Sequence, residues 1–125
     1  MIKKLVYAIV LIGLMHSNFG FSQNLDCNNP INYARDLYSI GDFRTLKLVL
    51  RNCVLNQKKS SNFEKNRARE LFALTAIAQD SISGAENIIT EIILADSSYE
   101  PALGNSNYVF NQIYIKSYKN NVGTQ

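Results

Sequence analysis

Residues 40–42, Ile-Gly-Asp, separate two apolar runs of helical spacing, and this short break restricts the fold more than any other feature. Upstream, Ile31, Ala34, Leu37 and Tyr38 recur on one helical face. Downstream, Phe43, Leu46, Val49, Leu50 and Cys53 do the same. Helices joined this tightly run antiparallel. Asn29-Pro30 reads as the start of the first helix, with Asn as cap and Pro in the first turn. Gly41 ends that helix and Asp42 can cap the next.

After the polar break Asn56–Ser61, Ser61 and Glu64 form a capping box that opens a third helix over 62–79. Its centre, LFALTAIA at 71–78, is apolar nearly all round, the pattern of a helix buried on several sides. Asp80-Ser81 breaks it. Ser83 with Glu86 reads as a second capping box, followed by the stripe Ile82, Ala85, Ile88, Ile89, Ile92 and Ile93. Asp96-Ser97-Ser98 and Pro101 stop this fourth helix, and 102–107 reads as a loop. Residues 108–118 fit a helix or a strand, and helix is favoured because a lone strand has no partner. Residues 119–125 read as coil. The expected class is all-α, with one domain over 31–118 behind a polar lead-in at 23–30.

The first 22 residues read as an address. Lys3-Lys4 precede the uncharged run LVYAIVLIGLM at 5–15, and the small residues Gly20 and Ser22 follow. That is the pattern of a secretory signal peptide cut between Ser22 and Gln23. The apolar run is shorter than the roughly 20 residues a membrane helix needs. The expected destination is the periplasm. An uncleaved segment would instead make the chain a membrane-tethered spacer. Cleavage leaves 11 basic against 10 acidic residues, too even a balance to steer nucleic acid.

Cleavage also removes His16, the only histidine, and with it Ser-His or Cys-His catalysis. No glycine-rich phosphate loop is present, and two thiols without a histidine make a poor metal site, so no cofactor or metal is expected. Glu64 with Glu70, or Glu86 with Glu91, could serve a carboxylate-only hydrolase, but each lies on an expected solvated face. Lys58-Lys59 with Lys65, Arg67 and Arg69 reads as a small solvated basic patch, available to an acidic partner or to headgroups. Among the tyrosines Tyr33, Tyr38, Tyr99, Tyr108, Tyr114 and Tyr118, exposed ones would anchor an interface. Cys27 precedes the first helix and Cys53 ends the second, so an antiparallel pair brings them together. In an oxidising compartment they are expected to form a structural disulfide.

Aligning the turns at Gly41 and Asp80 gives a period of 39. Ala34 then pairs with Ala73, Phe43 with Ile82, Leu46 with Ala85, Leu50 with Ile89, and Cys53 with Ile92. The second unit closes with LADSSYEP. On these residues, 31–101 resembles two divergent tetratricopeptide repeats, with the excess over about 34 residues placed in the 56–61 loop. Leu46 and Cys53 stand where that family prefers alanine, and a closing proline near Lys58 is missing. The alternative is an unrelated bundle of four or five helices. Two such units expose an apolar end, which the 108–118 segment can cap.

Cys27, Ala34, Leu37, Gly41, Phe43, Leu50, Cys53, Leu94, Asp96, Tyr99, Pro101, Phe110 and Tyr114 also match a longer layout. It is similar to the periplasmic N-terminal extension of TonB-dependent outer-membrane receptors of Bacteroidetes-type bacteria. The resemblance implies a receptor fragment, or a free-standing version of the extension, because a plug and barrel would begin near Gln125. The expected function is a non-catalytic module that binds a protein or peptide partner, with membrane association only through the signal segment or a fused barrel.

Overall fold

The computed structural model describes residues 25–123; the expected signal segment and its cleavage point at Ser22-Gln23 lie outside the described residues. Five helices follow: α1 Pro30–Ile40, α2 Phe43–Leu50, α3 Asn62–Ala78, α4 Ile82–Ala95 and α5 Tyr108–Val122. A π-helical turn, Arg51–Leu55, prolongs α2. Among the described residues there is no strand, so the class is all-α.

The first turn forms as the residues dictate. Gly41 takes a left-handed conformation (φ 78°), and its N–H donates to the Leu37 and Tyr38 carbonyls. The Asp42 side chain accepts from the Thr45 N–H at 3.2 Å and caps α2. Replacing Asp42 with Ala should therefore cost about 1 kcal/mol. In a domain of this size that is a fall of about 5 °C in melting temperature, readable by circular dichroism. Ser61 caps α3 in the same way, accepting from the Glu64 N–H at 3.1 Å.

Three boundaries differ from the sequence expectation. Asn29 is left-handed (φ 56°) and makes no side-chain cap, so Pro30 alone marks the start of α1. The Ser83–Glu86 box is not formed, because α4 already begins at Ile82. Its start is set by the turn before it: Asp80 is left-handed (φ 58°), and the Ser81 N–H donates to the Ala76 carbonyl at 2.8 Å. α5 runs to Val122 rather than ending at Tyr118, since Ser117 is buried and Val122 packs on the core.

The 108–118 segment is helical. Asn107 caps it by accepting from the Phe110 N–H at 2.9 Å, and Phe110, Ile113 and Ser117 share its buried face.

α3 is the centre of the molecule. It packs against both helices of the first hairpin, pairs with α4, and meets α5, which itself lies on α4. Ala34, Ala68, Ala73 and Ala85 are fully buried, and such small side chains let helix axes approach closely. Leu46, Leu50, Ile89, Ile92 and Phe110 fill the space between them. At the open end of the first hairpin the Cys27 and Cys53 sulfurs stand at disulfide distance, 2.06 Å, with Cα atoms 5.2 Å apart. The hairpin is thus closed by Gly41-Asp42 at one end and by sulfur at the other.

Candidate functional site

The α4–α5 connection is built residue by residue onto α3. The Asp96 carboxylate accepts from the Ser98 N–H at 3.0 Å and the Ser98 hydroxyl at 2.6 Å, which turns the chain away from α4. These bonds hold the Asp96 carboxyl below the usual carboxylate range. The turn delivers Tyr99 into the core, where it is buried. Beyond Pro101, the chain presents two consecutive N–H groups, those of Leu103 and Gly104, to α3.

They meet Glu70. One carboxylate oxygen, Oε1, accepts from Leu103 N and Gly104 N, both at 2.9 Å. The other, Oε2, accepts from Arg67 Nη1 at 3.0 Å and from the Tyr99 hydroxyl. Two donors on each oxygen use the full accepting capacity of a carboxylate. Glu70 has no exposed surface. Burial first, and then the bond to Glu70, push the Tyr99 phenol far above its ordinary range, so it stays a donor. Arg67 is held between rings, 4.6 Å from the Phe63 centroid and 5.3 Å from that of Tyr99. Tyr114 closes the group from α5, donating to the Tyr99 carbonyl at 3.0 Å. Gly104 fits because it lacks a side chain: a Cβ there would lie 2.6 Å from the Phe110 ring.

This corrects the solvated placing of Glu70. The signal was in its register: Phe63, Glu70, Leu74 and Ile77 share one helical face, so a lone carboxylate interrupts an apolar stripe. Arg67 and Arg69 are likewise half-buried rather than solvated, paired with Glu70 and with Asn66 respectively. Glu64, Glu86 and Glu91 are exposed, as are Lys58 and Lys59. Glu64 and Glu70 do not converge on a common opening, since Glu70 is enclosed by its own donors. What Glu70 does chemically is fasten the 96–107 segment to α3.

The six tyrosines among the described residues divide evenly. Tyr99 is buried, and Tyr38 and Tyr114 are half-buried. Tyr33, Tyr108 and Tyr118 are exposed. Tyr108 and Tyr118 share the outer side of α5 with Ile115, which is 50% exposed. Two clefts accompany these features. One of 390 Å³ runs between α4 and α5, with Glu86, Asn87, Thr90, Gln112 and Lys116 on its walls. A second, of 310 Å³, lies where Arg35 and Tyr38 of α1 face Leu74 of α3 and Leu103 of the latched loop.

Among the described residues no cluster of His, Cys, Asp or Glu is placed to hold a metal ion, and no helix is long and apolar enough to cross a membrane. No protein-family model, curated protein or solved structure matches the chain.

Proposed function

We propose that this protein is an exported, non-catalytic helical module that binds a protein or peptide partner in the periplasm. The observation that carries the reading is the outer side of α5. Tyr108, at 76% exposed, stands seven residues before Ile115 and ten before Tyr118, so the three form one apolar row at heptad-like spacing. Aromatic side chains of this kind are the usual anchors of interfaces.

The repeat reading has support of its own. Each of the pairs Ala34 with Ala73, Leu46 with Ala85, Leu50 with Ile89 and Cys53 with Ile92 is buried at both members. α3 rests on both helices of the first hairpin, and α5 on both helices of the second. That order suits two tetratricopeptide-like units with α5 as a cap, and a solenoid end left open presents its last helix to a neighbour. In a receptor of the TonB-dependent type, that neighbour would be the next part of the same chain or a periplasmic protein.

The test is cross-linked capture from a periplasmic extract with the wild-type protein and with Tyr108→Ala, Ile115→Ser and Tyr118→Ala variants. Each variant should retain its melting temperature within a few degrees and weaken capture of the same partner about tenfold or more. Capture unchanged in all three would refute the reading.

A further inference from the structure

The near-neutral total hides a strong segregation of charge. Residues 43–69 carry eight Lys or Arg and one acid, whereas residues 70–115 carry six acids and no Lys or Arg. The fold collects part of the basic set on one surface. Arg44, Lys47 and Arg51 share a face of α2 at i, i+3 and i+7. Lys65 and Arg69 share a face of α3 with Phe72 and Gln79. Two contacts show that these faces adjoin: Lys47 Nζ donates to Gln79 Oε1 at 3.1 Å, and the Arg51 guanidinium lies 5.4 Å from the Phe72 ring centroid. Arg67 is not part of this surface, since it turns to Glu70. The single carboxylate within reach is Glu91, 3.9 Å from Arg69 and 65% exposed, a weak and replaceable partner.

We infer that this α2–α3 surface binds an extended acidic polypeptide segment. Cations one helical turn apart stand about 6 Å apart along each helix. Alternate side chains of an extended chain stand about 6.6 Å apart. Arg44 to Arg51 spans about 10 Å of α2 and Lys65 to Arg69 about 6 Å of α3, so a strand with Asp or Glu at every second position meets successive cations along each helix. Three of the five cations are arginines, whose planar fork matches a carboxylate in two bonds. A second copy of the chain fits less well. Its exposed acids over 70–115, Asp80, Glu86, Glu91, Asp96 and Glu100, are spread over the turns and α4 at intervals of four to six residues and form no such row. A lipid surface fits less well too, since Leu48 is the one large apolar side chain exposed on the α2 face. This surface is separate from the α5 row and does not rest on it.

The experiment is fluorescence anisotropy with a labelled decapeptide alternating Glu and Thr, against a peptide of the same composition with its glutamates in one block. The alternating peptide should bind more tightly, and binding should weaken as salt rises. A Lys47→Gln/Arg51→Gln/Arg69→Gln variant should lose about tenfold in affinity; Arg51→Lys/Arg69→Lys, which keeps the charge but not the planar fork, should lose a smaller part of it, and the α5 variant Tyr108→Ala should retain it. Melting curves of all variants confirm that each is folded. The inference is overturned by no binding of the alternating peptide at low salt, by equal binding of the block peptide, or by affinity unchanged in the triple Gln variant. It is also overturned by preferential binding to phosphatidylglycerol vesicles, or by self-association that the triple variant abolishes.

Discussion

Glu70→Ala is expected to lower the melting temperature by about 15 to 25 °C, the largest effect of any single substitution outside the apolar core. The reason is the number of groups it strands. Leu103 N, Gly104 N, the Tyr99 hydroxyl and the Arg67 guanidinium all donate to that one carboxylate. Removing one member of a buried charged pair costs about 3 to 5 kcal/mol, because its partner is left desolvated and unpaired. Arg67 is 19% exposed and can turn partly to water, which favours the lower half of that range. Tyr99 and the two N–H groups have no such escape. Glu70→Gln tests the charge apart from the shape. Its amide can still accept from the loop N–H groups, but its NH₂ then faces two donors, Arg67 and Tyr99. It should fall between wild type and Ala, and combining it with Tyr99→Phe should cost less than the two changes summed. A fully additive result would mean that the two groups act independently.

The second large effect belongs to the cysteines. The two sulfurs join residues 26 apart. Closing a loop of that size constrains the unfolded chain by about 3.5 kcal/mol on the chain-entropy account. Reduction, or a Cys27→Ser/Cys53→Ser variant, should lower the melting temperature by about 15 °C. The first hairpin should loosen before the second. Cys53 is buried against the core, whereas Cys27 lies in the exposed lead-in to α1. Thermal melts with and without reductant read the global loss. Proteolysis of the reduced protein should place the first cuts within residues 25–42. Identical melts in both conditions would show that the covalent closure adds nothing to folded stability.

The helices were legible because their signals are local. Gly41 and Asp42 fix a turn through one left-handed residue and one cap, and the apolar stripes of α1, α2 and α4 repeat within a few turns. The approach of Cys27 to Cys53 follows from the antiparallel geometry that this turn imposes. One boundary was misread for a local reason as well: Ser83 and Glu86 have the spacing of a capping box, but the left-handed Asp80 starts α4 two residues earlier than that box allows. The Glu70 site was not legible in the same way. Its partners Tyr99, Leu103 and Gly104 lie 29, 33 and 34 residues away, and no periodicity connects them. The one sequence trace is a glutamate on an apolar stripe, whose meaning depends on which loop folds over it. The basic surface is intermediate. Its charges are plain in the sequence, but joining α2 to α3 required the Lys47–Gln79 and Arg51–Phe72 contacts.

The α4–α5 segment is fastened to α3 by Glu70, which makes α5 part of the same rigid body. Amide hydrogen exchange at Leu103 and Gly104, followed by nuclear magnetic resonance, tests this most directly. The latch predicts that both amides exchange as slowly as those in the buried part of α3, and that both become fast in Glu70→Ala under conditions where α3 stays protected. Exchange at the rate of the exposed neighbours Ala102 and Ser106 in the wild-type protein would contradict it.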